Sequence, residues 1–156
     1  MSCIFCEILR GEAPVSTVYE DEYALAFMDL FPMRPGHTLV IPKQHGVFLE
    51  ELEPGLRSHL FEIANQVLAA QKQSSLPCAG NNIFVNDGPA ANQHVPHVHL
   101  HILPRAGGDL PKAMFSFVSR YSNYFGMETH RNRLDAIARE LAEKMPARVV
   151  SVLTQD

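Results

Sequence analysis

A strict alternation of histidine and aliphatic residues runs from residue 97 to residue 102 and constrains the fold more than any other part of the chain. Such alternation is typical of a β-strand, because successive side chains of a strand point to opposite faces of the sheet. We therefore predict that one face points into a core, namely Val98, Leu100 and Ile102. The other face carries three imidazoles about 7 Å apart at the rise of a strand, namely His97, His99 and His101. Imidazoles titrate near neutral pH, so this row suits metal binding, proton transfer or nucleophilic attack; a strand that merely has a polar histidine face is the alternative.

The flanking sequence predicts four more short strands and two principal helices. Runs of β-branched and aliphatic residues bounded by glycine, proline and acidic residues predict strands over 18–19, 24–28, 37–42 and 82–86. Apolar residues spaced by three and four predict a long helix over 54–70 and a C-terminal helix over 134–145, and a short helix is expected over 3–9. The fold class expected is α+β, in a single domain that spans residues 1–156.

Composition excludes several classes of function. The chain has 156 residues, of which 46% are hydrophobic and 19% charged, and its formal net charge is −4. A negative charge without a basic cluster argues against a nucleic-acid partner, and no apolar run approaches the roughly 20 residues of a membrane span. The beginning of the chain does not resemble a secretory signal, and three cysteines, two of them spaced Cys-x-x-Cys, favour a metal site or free thiols over disulfides. We therefore expect a cytoplasmic protein.

The histidine motif, taken with four further blocks, resembles the histidine triad family of nucleotide hydrolases and transferases. The blocks are Cys-Ile-Phe-Cys at 3–6, Ala-Phe-Met-Asp at 26–29, Gly-His-Thr-Leu-Val-Ile-Pro-Lys at 36–43 and Asn-Asp-Gly at 86–88. The resemblance covers residues 3–105 and leaves 106–156 as a C-terminal extension. It implies a homodimer in which each subunit has a five-stranded antiparallel sheet.

The resemblance also implies a reaction and its catalytic residues. His99 would attack the α-phosphorus of a nucleoside phosphoramidate or a dinucleoside polyphosphate, and water would release the nucleoside monophosphate from the covalent nucleotidyl-histidine. A neutral imidazole suits this task, because it approaches an anionic phosphate without charge repulsion and divides one difficult step into two. His101 and His37 would hydrogen-bond the phosphate oxygens, and Asn86 would contact the scissile oxygen or the leaving group. The chemistry itself would require no cofactor.

The substrate implied is a purine nucleotide-type small molecule, and its contacts can be carried over by position. Asp29 would bind the ribose hydroxyls, and Gln93 lies in the loop that would meet the α-phosphate. An apolar wall for the base would comprise Phe5, Ile8, Phe27 and Leu30. His94 replaces a small hydroxyl residue common in the family, and it would either add a phosphate contact or crowd the leaving group. Simpler readings remain open, with His37 only starting a strand, Asp29 only forming a turn and the apolar residues only filling the core.

A structural zinc site is implied by the same resemblance. Its ligands would be Cys3, Cys6, His45 and His97, a closed set of two sulfurs and two nitrogens that would attach the N-terminus to the sheet without entering the chemistry. The alternative is a buried pair of thiols with His45 on the surface. Two other histidines are expected to face solvent, His59 and His130.

Alternative functions stay open at this point. The intact histidine motif favours an enzyme over a nucleotide-binding or protein-interaction module with vestigial activity. A third possibility is a hydrolase whose three histidines bind a catalytic metal, because His-x-His pairs on strands also occur in zinc enzymes.

Overall fold

The structure is a computed structural model that describes residues 3–108 and 127–147. Five strands form one sheet in the order β1-β2-β3-β5-β4, with every neighbouring pair antiparallel. The strands are β1 (Thr17–Glu20), β2 (Ala24–Met28), β3 (Thr38–Pro42), β4 (Gly80–Val85) and β5 (Leu100–Arg105), and the helices are α1 (Ile4–Leu9), α2 (Pro54–Gln73) and α3 (Met127–Ala142). The predicted α+β class is confirmed. Most of the extension from residue 106 onward lies outside the described residues.

The main core lies between the sheet and the two long helices. Pro54 occupies the first turn of α2, where its missing N–H costs no hydrogen bond. Apolar side chains of α2 and α3 then pack on the strands, and the fully buried members include Leu60, Ile63, Val67, Leu100, Ile102 and Leu141. Val98, Leu100 and Ile102 therefore point into a core, as the alternation predicted.

A second, smaller core lies under α1. Its buried members are Cys3, Phe5, Leu25, Phe27, Leu39 and Ile41, and it is distinct from the core under α2. Every residue of β2 and β3 is buried, because both faces of the sheet are covered at these strands. The short N-terminal helix thus covers the side of the sheet on which the histidines lie.

The histidine strand begins later than predicted. It starts at Leu100, and His97 and His99 precede it. The amide of His97 donates to the carbonyl of Val95 at 2.8 Å, and the amide of Val98 donates to the carbonyl of Gly46 at 2.8 Å. These hydrogen bonds draw the backbone out of the β3–β5 ladder, whose register runs from Val40–Leu100 to Thr38–Ile102.

Several helix and strand limits also differ from the prediction. β4 runs from Gly80 rather than from residue 82, and α3 begins at Met127 and ends before Pro146 is reached. α2 continues to Gln73, so Gln71, expected in a loop, is fully buried. Its side-chain amide donates to the carbonyl of Gly36 at 2.9 Å, and a buried amide with such a partner is compatible with a helix that ends against the sheet.

The predictions that His59 and His130 face solvent are wrong. His59 is 1% exposed, and its Nε2 lies 2.7 Å from a carboxylate oxygen of Asp21. The residue stands three positions after Leu56 and four before Ile63, which places it on the buried face of α2. His130 is half-buried and donates from Nε2 to the carbonyl of Leu30 at 2.8 Å.

A glycine turn leads into β3. Gly36 has φ +89°, a conformation that residues with a Cβ rarely adopt. A Cβ built there would also lie 2.5 Å from Leu76 and 3.0 Å from Pro104. This turn places His37 immediately before β3. None of the helices among the described residues is long and apolar enough to cross a membrane.

Candidate active site and metal centre

His37 and His101 are brought together by the pairing of β3 with β5. Leu39 pairs with His101 in the ladder, and His37 immediately precedes β3. Nε2 of His37 lies 3.0 Å from Nδ1 of His101, with the ring centroids 5.2 Å apart. Both residues are buried, at 0% and 3% exposed. Since each neutral imidazole has one donor and one acceptor nitrogen, one ring must donate to the other.

His99 presents one nitrogen for chemistry. Its Nδ1 lies 2.7 Å from the carbonyl oxygen of His97, so Nδ1 carries the proton and donates it. The lone pair is therefore on Nε2, as a nucleophile requires. The ring of His99 is 4.8 Å from that of His101, closer than the spacing along an extended strand, because His99 precedes the ladder and the two rings meet edge to face.

His97 faces away from the other two histidines of the motif. Its Nδ1 is 3.6 Å from Sγ of Cys3 and 3.7 Å from Sγ of Cys6, while its Nε2 donates to the carbonyl of Pro42 at 2.9 Å. The three histidines therefore do not converge on one point, which argues against a catalytic metal held by all three.

Asp29 contacts the nitrogen of His37 that does not face His101. Its Oδ2 lies 3.2 Å from Nδ1 of His37, and its Oδ1 accepts a hydrogen bond from the amide of Phe31 at 2.9 Å. The amide of Met33 also points at Nδ1 of His37, at 3.2 Å. Asp29 is 7% exposed. The ribose role implied by the resemblance stays a prediction, and the contact that the structure adds is to His37.

Phe84 was missed by the sequence reasoning. Its ring stacks on that of His101 with centroids 4.5 Å apart and planes within 9°. The two residues are partners in the β4–β5 ladder. The predicted strand over 82–86 contained Phe84, but no sequence signal gave the register that places it opposite a histidine.

Three of the four residues expected to wall the base share one cluster. Phe5 and Phe27 are buried in the core under α1 with ring centroids 5.6 Å apart, and Ile8 packs against them. Phe5 also meets His99 edge to face at 5.3 Å. Leu30 packs instead against the core under α2. The structure thus brings Phe5, Ile8 and Phe27 into one cluster, of which Phe5 contacts His99, and it places Leu30 against the other core.

The remaining predicted residues lie in the loop between β4 and β5. Gln93 accepts from the amide of Gly88 at 2.8 Å and donates to the carbonyl of Val47 at 2.8 Å, so it links this loop to the one after β3. Asn86 is half-buried, with its amide 3.5 Å from the carbonyl of Asn92. His94 is exposed. Their contacts with substrate stay predictions.

The four predicted zinc ligands form one cluster. Nδ1 of His45 is 3.3 Å from Sγ of Cys6 and 3.3 Å from Nδ1 of His97. All four ligand atoms lie within 4.8 Å of one another. In tetrahedral zinc with Zn–S bonds of about 2.3 Å and Zn–N bonds of about 2.05 Å, sulfur and nitrogen are about 3.6 Å apart and two nitrogens about 3.3 Å. The cluster therefore has the size and the donor set of a closed structural zinc site.

Protonation in the cluster is consistent with metal binding. Burial lowers the pKa of His97, and repulsion from His45 and His99 lowers it further, which outweighs the hydrogen bond to Pro42. A neutral His97 whose Nε2–H is given to a carbonyl has its Nδ1 lone pair free for a metal. Burial raises the pKa of the Cys6 thiol, with further increases from Cys3. A cation bound to the sulfur would oppose that increase.

Comparisons with known proteins identify the family. The family model described as HIT domain matches residues 10–108 of this chain. An uncharacterised HIT-like protein of Mycobacterium tuberculosis is 44% identical over 109 residues, which cover 70% of this chain and 75% of that protein. Adenylylsulfatase HINT3 of Arabidopsis thaliana is 39% identical over 111 residues, covering 69% of this chain and 54% of that protein. A crystal structure of a zinc-bound histidine triad family protein from Mycobacterium smegmatis superposes with a TM-score of 0.71 at 37% identity, covering 92% of this chain and 97% of that one. The chain therefore belongs to the histidine triad (HIT) family.

Proposed function

We propose that the protein is a nucleotide hydrolase or nucleotidyltransferase that cleaves its substrate at the α-phosphorus through a covalent intermediate on His99. The observation that carries this proposal is the 2.7 Å contact between Nδ1 of His99 and the carbonyl of His97, which leaves Nε2 unprotonated. The ring of His101 lies 4.8 Å from that of His99 and is in contact with His37, so a phosphoryl group bound at His99 would also lie beside His101. The name of the Arabidopsis relative, adenylylsulfatase, supports an adenylyl compound as the substrate class.

In the first half of the reaction, Nε2 of His99 attacks the α-phosphorus and the bond to the leaving group breaks. The leaving group takes the bonding electron pair and a proton, and His101 beside the phosphoryl group stabilises the charge that builds there. His37 acts through His101, because its two ring nitrogens face His101 and Asp29. In the second half, water attacks the phosphorus, loses a proton and displaces His99. The nucleoside monophosphate leaves, and His99 recovers its lone pair. Transfer to an acceptor other than water would follow the same course.

Substrate binding would use the surfaces on either side of His99. Ile8, the partly exposed member of the cluster with Phe5 and Phe27, would contact a purine base without reading its edges, and the two buried phenylalanine rings would support this wall. Asn86 and Gln93 lie on the loop between β4 and β5 and would contact the phosphate and the leaving group. A phosphoramidate and a dinucleoside polyphosphate both satisfy these contacts, so the leaving group is the first property to measure.

Cys3, Cys6, His45 and His97 would hold a structural zinc ion. Such an ion supplies a cross-link between α1, the loop after β3 and the segment before β5, and it contributes to folding free energy. Phe5 on α1 contacts both His97, at 5.8 Å, and His99. The ligand set thus also fixes one wall of the proposed base site.

A homodimer and a cytoplasmic location belong to the same proposal. Support for the dimer comes from β4, an edge strand of the described sheet that carries the exposed Ile83. An edge strand with an apolar side chain favours pairing with another copy. Sedimentation equilibrium should give twice the chain mass, and a monomer at all concentrations would contradict the dimer.

The test of the reaction is to trap the adduct. The protein is mixed with adenosine 5′-phosphoramidate or with a diadenosine polyphosphate, quenched in alkali, and examined by intact mass and peptide mapping. We expect a mass increase of one adenylyl group located on His99, absent in His99→Gln. His130→Gln, a half-buried histidine outside the site, should still form the adduct. Turnover by His99→Gln near the wild-type rate would contradict the proposal.

A further inference from the structure

Asp29, His37 and His101 form a buried chain of titratable groups next to the proposed nucleophile. The contacts are 3.2 Å from Asp29 to His37 and 3.0 Å from His37 to His101. All three residues are less than 10% exposed. A buried carboxylate in contact with a histidine determines which nitrogen of the ring carries the proton.

Nδ1 of His37 faces two competing partners at the same distance. The Met33 amide can only donate to Nδ1, which requires a lone pair there. An ionised Asp29 can only accept, which requires a proton there. A single nitrogen cannot satisfy both partners, so the choice between them sets the tautomer of His37.

The two tautomers give His101 opposite properties. If His37 donates to Asp29, Nε2 of His37 accepts a hydrogen bond from Nδ1–H of His101. The outer nitrogen of His101, Nε2, then carries a lone pair when the ring is neutral and a proton when the ring is charged. If His37 accepts from Met33, its Nε2–H donates to His101, whose proton then lies on the outer nitrogen. Only in the first arrangement can Nε2 of His101 both give and take a proton by passing between the charged and the neutral ring. In the second arrangement, loss of the Nε2 proton would leave an imidazolate anion.

We propose that Asp29 is a positioning residue that keeps the proton of His37 on Nδ1 and thereby makes Nε2 of His101 the proton donor and acceptor of the reaction. This inference rests on the proposed function and adds the route of the proton to it. In the first half, charged His101 gives its Nε2 proton to the leaving group. In the second half, neutral His101 takes a proton from the attacking water, which restores the charged form. His101 thus loses one proton and regains one in each turnover.

Phe84 supports a charged His101. The parallel stack at 4.5 Å places the imidazole over the electron-rich face of the phenyl ring. A cation in this position is attracted by the ring quadrupole. Asp29, acting through His37, and Phe84, by stacking on the ring, thus both favour the charged state of His101.

A positioning role for Asp29 and a contact with ribose predict different effects of the substitution Asp29→Asn. Oδ1 is occupied by the amide of Phe31, and Oδ2 faces His37. In Asp29→Asn the carbonyl oxygen can keep the Phe31 contact, which turns the NH2 group toward His37. An NH2 group donates, so it joins Met33 in favouring a lone pair on Nδ1 and selects the wrong tautomer.

The experiment combines a spectroscopic and a kinetic readout on full-length zinc-loaded protein. The ¹⁵N imidazole signals of His37 are recorded for wild type, Asp29→Asn and Asp29→Ala, each checked for folding by thermal melting. Adduct formation is measured with an adenosine substrate and with its 2′,3′-dideoxy analogue. The matched control is Asp21→Asn, which alters a second aspartate–histidine contact among the described residues, at the opposite end of β2.

We expect wild-type His37 to carry its proton on Nδ1 and both Asp29 variants to shift it to Nε2. We expect the rate of adduct formation to fall by about 10²-fold or more, the range of general acid–base catalysis, with either substrate and with little change in KM. Asp21→Asn should leave this rate and the His37 signals unchanged.

Three results would overturn the inference. One is wild-type His37 with its proton on Nε2, and another is a loss in Asp29→Asn that disappears with the dideoxy substrate, which would mean that Asp29 only binds ribose. The third is a second metal equivalent per chain that Asp29→Asn abolishes, since these three side chains are close enough to hold one. The ¹⁵N readout needs no turnover, so a failure of this inference is distinguishable from a failure of the His99 mechanism.

Discussion

The contact between Asp21 and His59 should make a large, measurable contribution to stability. Nε2 of His59 lies 2.7 Å from Oδ2 of Asp21, and the two side chains are 1% and 18% exposed. Oδ1 of Asp21 also accepts hydrogen bonds from the amides of Tyr23 and Ala24, both at 2.9 Å. Asp21 therefore closes the β1–β2 turn and holds α2 against it.

The size of the effect follows from what each variant leaves unpaired. Asp21→Ala removes two backbone contacts and leaves Nε2 of a buried histidine without a partner, for which about 3–5 kcal/mol of unfolding free energy is expected. Asp21→Asn retains the carbonyl that accepts from Tyr23 and Ala24, so a loss of about 1–2 kcal/mol is expected. A double-mutant cycle with His59→Leu should show a coupling of about 1.5–3 kcal/mol.

The pH dependence has a definite sign. Burial raises the pKa of Asp21, but hydrogen bonds from Tyr23, Ala24 and His59 outweigh it and hold this pKa below its usual value. A depressed pKa contributes stability that is fully present above the unfolded pKa of about 3.9 and is lost as the pH falls through the folded value. Urea unfolding at pH 7 and at pH 3 measures both effects. A loss below about 1 kcal/mol in Asp21→Ala at pH 7, or no coupling to His59, would refute the reasoning.

Three further outcomes are expected. Protein purified without chelator should hold one zinc ion per chain and expose one rapidly titrating thiol, Cys78, whereas His45→Ala should lose zinc in mild chelator; three titratable thiols and no zinc in the wild type would contradict the site. Phe84→Leu should slow adduct formation by about fivefold, corresponding to a cation–π contribution of about 1 kcal/mol, without changing zinc content; an unchanged rate would remove Phe84 from the mechanism. Gly36→Ala should cost about 1–3 kcal/mol in urea unfolding, because its Cβ would meet Leu76 and Pro104 at a positive φ; an unchanged midpoint would contradict this.

The sheet and the long helices could be predicted because their signals are local. Alternation identified Val98, Leu100 and Ile102 as core residues, and the apolar spacing after Pro54 identified α2. The same spacing placed His59 on the buried face, but its polarity suggested solvent until Asp21 supplied a partner from the β1–β2 turn. A buried polar residue is recognisable from sequence only when its partner is known.

The catalytic and metal residues were proposed from motifs, whereas their contacts depended on geometry that no motif contains. The start of β5 at Leu100 arises from hydrogen bonds to Val95 and Gly46 at distant positions in the chain. The stack of Phe84 on His101 depends on the register of β4, and a shift by one residue would turn that ring to the other face. The contact of Asp29 with His37 depends on the turn between β2 and β3, whose path is set by a glycine with positive φ.

The stereochemical course at phosphorus tests the covalent mechanism most directly, because it reports on every turnover. A substrate with a chiral α-phosphorothioate is hydrolysed in ¹⁸O-water, and the configuration of the product is determined. Each in-line displacement inverts the phosphorus, so attack by His99 followed by attack by water should give overall retention. Inversion would mean that water attacks the substrate directly, and it would contradict the role assigned to His99.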